Sequence, residues 1–284
     1  MEENIMIELI TDSTSDLSPA LAAKLGVQVL PLTVHFGEEA FRDGVDISNA
    51  GFYDRLRGAD KLPTTAQINP ETFEAVFREV LDRGNQAVGI FISSAMSGTC
   101  QSAAIARDLL GSGDIFVVDS RTVTFSLGLL VTEAARLRDE GLTAAQLAQE
   151  LTVLREKLRL YAVVDTLKYL KMGGRISTAT ALVGGVLGIS PIITIANGLV
   201  ESVGKARGRK AGVQWIKNRV LEEAPDLSRS VSFGHSDCPE ALEAVTGAFS
   251  DLTAQVPAVY HSDIGAVVGA HVGPGAAGIS YFVE

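Results

Sequence analysis

Ser93, Ser94, Ser97 and Thr99 place four hydroxyls within seven residues, around Gly98, in the stretch GIFISSAMSGTCQSAAIARDLL (89–110). The run AVGIFI (87–92) before them is apolar and has the length and β-branched content of a buried strand. Residues 101–110 after them carry apolar side chains at helical spacing. A strand-to-helix junction presents free backbone N–H groups at the positive end of a helix dipole, a ready site for a phosphate or a carboxylate. The hydroxyls add neutral donors. One serine, Ser97, would serve as an ordinary helix cap. Four hydroxyls exceed what one cap uses.

Other residues of chemical interest lie far apart in the chain. TDSTSD (11–16) closes a strand-like run at 5–10 and adds Asp12 and Asp16, as loop and cap residues or as the rim of a pocket at a strand's carboxyl end. LPTTAQINP (62–70) reads as a loop holding Thr64, Thr65 and Gln67. His271 stands among Gly269, Gly273, Gly275 and Gly278, where backbone can approach a ligand closely. Its imidazole can donate to a carboxylate, become charged on binding one, or simply pack against a carbonyl. Arg175 and the run GKARGRK (204–210), with Lys205, Arg207, Arg209 and Lys210, are the basic segments of an acidic chain. Such a patch reflects a partner or a solvated loop.

Three chemistries are open to these groups. Ser94 or Ser97 as nucleophile, His271 as base and Asp12 as orienter would make a serine hydrolase acting on acyl esters, although AMSGT lacks the two-glycine nucleophile elbow. Cys100, beside the helix start, would be an activated thiolate or a small core residue. The anion junction would also accept a phosphosugar, but the glycine-rich loops match neither a P-loop nor a dinucleotide fingerprint.

Composition narrows the field. A chain of 284 residues is long enough for two domains. With 46% hydrophobic and 20% charged residues it has the composition of a globular protein rather than a disordered one. A net charge of −10 argues against a nucleic-acid partner. MEENIMIELI is acidic and runs directly into strand-like sequence, unlike a secretory signal. The longest apolar stretch, 180–196, is broken by Gly184, Gly185, Gly188 and Pro191 and does not read as a membrane span. Cys100 and Cys238 alone offer no zinc spacing, and a cytoplasmic location is the expectation.

The elements that must position these residues alternate. Strands are predicted at 5–10, 27–36, 87–92 and 114–119, and helices from Ser18-Pro19 to 25 and at 48–57, 71–83, 101–110, 125–140 and 143–158. This rhythm predicts a three-layer α/β domain with a mostly parallel sheet over 1–160. Beyond it the pattern changes. A strand at 161–164, a Gly-rich helix at 178–187, and a hairpin at 192–195 and 199–203 about Asn197-Gly198 come first. A helix around Trp215, a strand at 230–234, a helix at 239–249 and strands at 256–261 and 266–270 complete an α+β domain over 161–284.

With these segments in place the chain resembles the DegV family nearly end to end. The carrying residues are TDSTSDL (11–17), TTAQ (64–67), ISSAMSGTCQSA (92–103), Asp119-Ser120, YLKMGGRIS (169–177), the K-x-R-x-x-K-A pattern at 205–211 and IGAVVGAHVGPGAAGISY (264–281). Three positions depart from the family's usual pattern: Ala66 and Ile68 in the 65–68 loop, and Cys100 where an aromatic is common. The resemblance implies a DegV-like two-domain fold that buries one long-chain fatty acid and has no cofactor, metal or catalysis of its own. It implies a role as acyl carrier for a separate ATP-dependent fatty acid kinase, which makes the acyl phosphate for phospholipid metabolism, with transient membrane contact. It places the carboxylate near Thr64, Thr65, Ser93 or Ser94, and His271, with Ser97 and Gly98 close by, and the partner contact is expected at Arg175, Lys205 and Arg207. The tail would lie along side chains such as Phe91, Phe125, Leu129, Leu182, Val186, Leu187 and Ile189, each of which reads first as an ordinary core residue.

Overall fold

The computed structural model describes residues 5–177 and 188–284. The helix expected at 178–187, with Leu182, Val186 and Leu187, lies outside the described residues. The strands Ile7–Asp12, Val27–Leu30, Gln86–Phe91 and Ile115–Asp119 form a wholly parallel sheet in which Ile7–Asp12 and Gln86–Phe91 are the inner pair. Alternation along these strands serves two cores, as expected of a parallel sheet covered on both faces. Ile10, Ala87 and Phe91 face helices Pro70–Asp82 and Thr99–Leu110, whereas Leu9, Val88 and Ile90 face helix Thr124–Asp139. The fold class is α/β, as predicted.

A six-stranded mixed sheet follows, ordered Leu199–Arg207, Ile189–Ala196, Leu158–Val163, Ala277–Phe282, Val231–His235 and Val259–Asp263. All its pairings are antiparallel except Val231–His235 with Val259–Asp263. Asn197 and Gly198 turn the predicted hairpin with φ of 50° and 76°, the two positive values of a type I′ turn. Helix Thr124–Asp139 is buried along most of its length, from Thr124 to Ala135, and packs between the two sheets. Its residues and those of both sheets belong to one continuous core. Helices Arg209–Glu222 and Pro239–Ala248 cover the outer face of the mixed sheet.

Three local expectations are corrected. The segment at 27–36 is two strands, and Thr33–Phe36 leaves the parallel sheet to pair with Glu39–Arg42 and Thr64–Ala66 in a small antiparallel sheet. The 62–70 loop therefore contains a short strand, made by tertiary pairing despite weak local signals. The segment 266–270, read as a strand, lies in a helix, Ala266–Val272. A short apolar run fits both periods. The helix is selected by acceptors elsewhere: Asp43 takes the Ala266 and Val267 N–H groups at 2.9 and 3.4 Å, and Asp16 takes that of Gly265 at 2.9 Å.

Candidate functional site

The carboxyl ends of strands Gln86–Phe91 and Ile115–Asp119 open onto a cavity, where an open α/β sheet places its ligands. It encloses about 960 Å3 not filled by atoms, part of it open to solvent. The mixed sheet supplies Leu160, Ala162, Ile193, Ile195 and Val200, helix Ala266–Val272 supplies Val267, Val268 and Val272, and Phe125 comes from the helix between the sheets. Most of the lining is aliphatic.

The polar lining residues are neighbours of one another. Thr65 Oγ1 and His271 Nε2 are 2.9 Å apart. Arg175 also lines the cavity and donates from Nε to the Met96 carbonyl at 3.1 Å and from Nη1 to that of Gly173 at 2.6 Å. Gln67 lies over Gly98, where any side chain would collide with its amide, and donates to Ser102 Oγ at 3.0 Å. Ser97 Oγ and Thr99 Oγ1 are 3.0 Å apart, and Gly98 rather than Ser97 occupies the N-cap position of helix Thr99–Leu110.

Burial, and secondarily the positive charge of Arg175, push the His271 imidazole down to about 4, so it is neutral near pH 7. Its Nδ1 is buried without a hydrogen-bond partner among the described residues and packs against Gly173, where a Cβ would collide with it. A buried N–H lacking an acceptor is the costlier arrangement. The proton therefore belongs on Nε2, which donates to Thr65 Oγ1. That leaves the Thr65 hydroxyl hydrogen free to donate to a ligand oxygen. Arg175 contributes a fixed positive charge beside it.

Of the expected carboxylate residues, Thr65, Ser97, Gly98 and His271 line the cavity. Ser93, Ser94 and Thr64 are not among the lining residues. Ser93 Oγ is buried and donates to the Gly198 carbonyl of the hairpin turn at 2.7 Å. Ser94 is exposed and donates from Oγ to Asp119 Oδ2 at 2.6 Å. Thr64 is exposed on its strand, opposite in direction to Thr65. Arg175, expected at a partner contact, lies in the cavity lining, where its guanidinium ties the Met96 carbonyl to that of Gly173. Lys205 and Arg207 are exposed on strand Leu199–Arg207, away from the lining. Among the expected tail residues that are described, Phe125 alone lines the cavity: Phe91 packs on Phe73 on the opposite face of the parallel sheet, and Leu129 is core. Ile189 is half-buried and outside the lining.

The geometry does not assemble the hydrolase. Asp12 is filled by the Ile92 and Thr14 N–H groups at 2.8 and 2.9 Å and the Thr14 hydroxyl at 2.5 Å. Desolvation raises it to about 6. His271 carries neither a serine nor a carboxylate on its ring nitrogens. Burial pushes the Cys100 thiol up to about 12, opposite to an activated thiolate. Among the described residues no helix is long and apolar enough to cross a membrane, and no cluster of His, Cys, Asp or Glu could hold a metal ion.

The family model described as "uncharacterised protein, DegV family" matches residues 6–284. A DegV domain-containing protein of Caldanaerobacter subterraneus is 36% identical over 277 residues, covering 97% of this chain and 98% of that relative. A DegV family protein from Thermus thermophilus, whose structure is described as showing fatty acid binding, superposes with a TM-score of 0.91 at 33% identity, covering 99% of this chain and 100% of that one. A stearic acid-binding protein from Eubacterium ventriosum superposes with a TM-score of 0.88 at 30% identity, covering 98% of each chain. By fold, cavity and a match that runs through almost every residue, this chain belongs to the DegV family.

Proposed function

We propose that the protein binds one long-chain fatty acid in this cavity, carboxylate at the Thr65–His271–Arg175 cluster and tail along the aliphatic lining. We further propose that it presents the carboxylate to a separate ATP-dependent kinase in the cytoplasm. The observation that carries the reading is an aliphatic cavity with a single cluster of donors containing one arginine. A carboxylate cannot be buried without such partners, and charge-assisted bonds offset its desolvation. A phosphosugar would leave most of this lining facing hydroxyls it cannot bond. In the reaction a carboxylate oxygen attacks the γ-phosphorus of ATP, the bond to ADP breaks, and an acyl phosphate remains. This chain holds and orients the nucleophile, and the kinase supplies the nucleotide chemistry. Transient contact with a membrane would load the carrier.

The deciding measurement is mass spectrometry of an organic extract of protein purified from a bacterial host, with a stoichiometric fatty acid expected. An extract without one would overturn the reading. Thr65→Val removes the acceptor of His271 and the free hydroxyl together, and should lower retained fatty acid by about tenfold or more, the loss of a hydrogen bond to a charged group. Ser94→Ala, outside the cavity, should leave it unchanged. Equal loss in both would return Ser94 to the site.

Lys205 and Arg207 are exposed, and the strand carrying them also borders the cavity through Val200. This supports a docking face for the kinase. Lys205→Ala with Arg207→Ala should leave the fatty acid in place, slow acyl phosphate formation by several-fold and flatten its salt dependence. Unchanged turnover at every ionic strength would remove these residues from the interface.

A further inference from the structure

Phe125 lines the cavity and is 1% exposed. Its ring lies directly on the backbone of Gly234: a Cβ at that position would collide with Cδ1 and come within 2.7 Å of Cε1 and Cγ. Gly234 pairs across the mixed sheet with Gly278, Gly278 with Ala162, and Ala162 with Ile193. Residues paired in this way point to the same face. Ala162 and Ile193 both line the cavity, so this row is a trough across its floor, without side chains at two places and with one methyl at a third. No residue of strand Val231–His235 lines the cavity, because Phe125 covers that strand at Gly234.

The ring is held firmly. Thr124 has φ of 60°, the left-handed region that a β-branched residue rarely adopts, and its hydroxyl donates to Asp16 Oδ2 at 2.6 Å. That anchor fixes the first turn of helix Thr124–Asp139 and with it the direction of Phe125. Behind the ring there is only backbone, so it cannot retreat.

We propose that Phe125, seated on Gly234, is the wall that closes the acyl cavity on the side of strand Val231–His235 and sets the chain length accepted. This deepens the fatty-acid reading above and rests on it. Removing ring atoms extends the trough over Gly234 toward Ser262, the next residue in the row. Adding a methyl at residue 234 drives the ring forward and shortens the cavity.

The test is the chain-length distribution of acids extracted from full-length protein, together with competition among saturated acids of increasing length. Phe125→Leu should move the maximum to longer acids, gaining about fourfold for each further methylene buried. Phe125→Trp and Gly234→Ala should move it to shorter ones. Melting curves establish that each variant is folded, and Phe125→Trp and Gly234→Ala decide the matter if Phe125→Leu is not. A loaded wild type with the same distribution in every folded variant overturns the wall while leaving the fatty-acid reading intact. A folded Phe125→Leu protein that retains no acid of any length also overturns it. A wild type without fatty acid overturns the reading beneath.

Discussion

Arg175→Ala protein is expected to emerge from purification almost free of fatty acid. Arg175 brings a full positive charge to the cavity lining, and its two hydrogen bonds, to the carbonyls of Met96 and Gly173, join the walls on either side of His271. Alanine removes both the charge and the brace. A hydrogen bond to a charged group contributes about 1.5–3 kcal/mol. The expected loss of affinity is therefore roughly tenfold to a hundredfold before any collapse of the wall is counted. Arg175→Lys keeps the charge but not the planar fork that reaches two carbonyls, and should recover only part of the binding. The measurement is fatty acid per protein by mass spectrometry, with equilibrium affinity for an added acid. An Arg175→Ala protein that keeps a full complement of fatty acid but fails in the kinase reaction would turn this arginine outward, to the partner.

Asp43→Ala should lower the melting temperature more than any surface substitution. Asp43 is 4% exposed and desolvation raises its carboxyl above the usual range, yet it accepts the first N–H groups of helix Ala266–Val272. Gly265, immediately before that helix, sits tightly between the carboxylates of Asp16 and Asp43: a Cβ would lie 3.0 and 3.1 Å from their oxygens. Cutting the side chain back leaves two buried donors without acceptors, each costing about 1–3 kcal/mol. At about 2–4 °C per kcal/mol for a protein of this order of size, the midpoint should fall by roughly 10 °C. Fatty acid retention should fall with it, because the same helix carries Val267, Val268 and His271 to the cavity. Glu39→Ala, at an exposed ion pair with Arg55, is the control and should change little. A midpoint within a degree or two of wild type would show that Asp43 is not what holds this helix.

Local sequence alone determined the alternation that builds the parallel sheet, the helix start at Ser18-Pro19, and the turn at Asn197-Gly198. It also determined that strand Gln86–Phe91 hands over to a helix through a run of small hydroxyl residues. These depend on interactions within a few residues: hydrophobic period, side-chain caps, and backbone angles that Asn and Gly tolerate. The direction of each hydroxyl at that junction was decided by tertiary structure. Ser93 turns to a carbonyl 105 residues away and Ser94 to Asp119, leaving the cavity to Ser97 and Gly98. Helix Ala266–Val272 was likewise decided from a distance, since its apolar run fits a strand equally well until Asp16 and Asp43 supply acceptors for its first N–H groups. Arg175 stood in a recognisable motif, but its place in the cavity follows from carbonyls that only the folded chain brings within reach. Gly234 offered no local signal at all, because the ring it makes room for belongs to a helix more than a hundred residues earlier. A side chain's partner is fixed by long-range packing, and the sequence near it encodes only which partners it is able to accept.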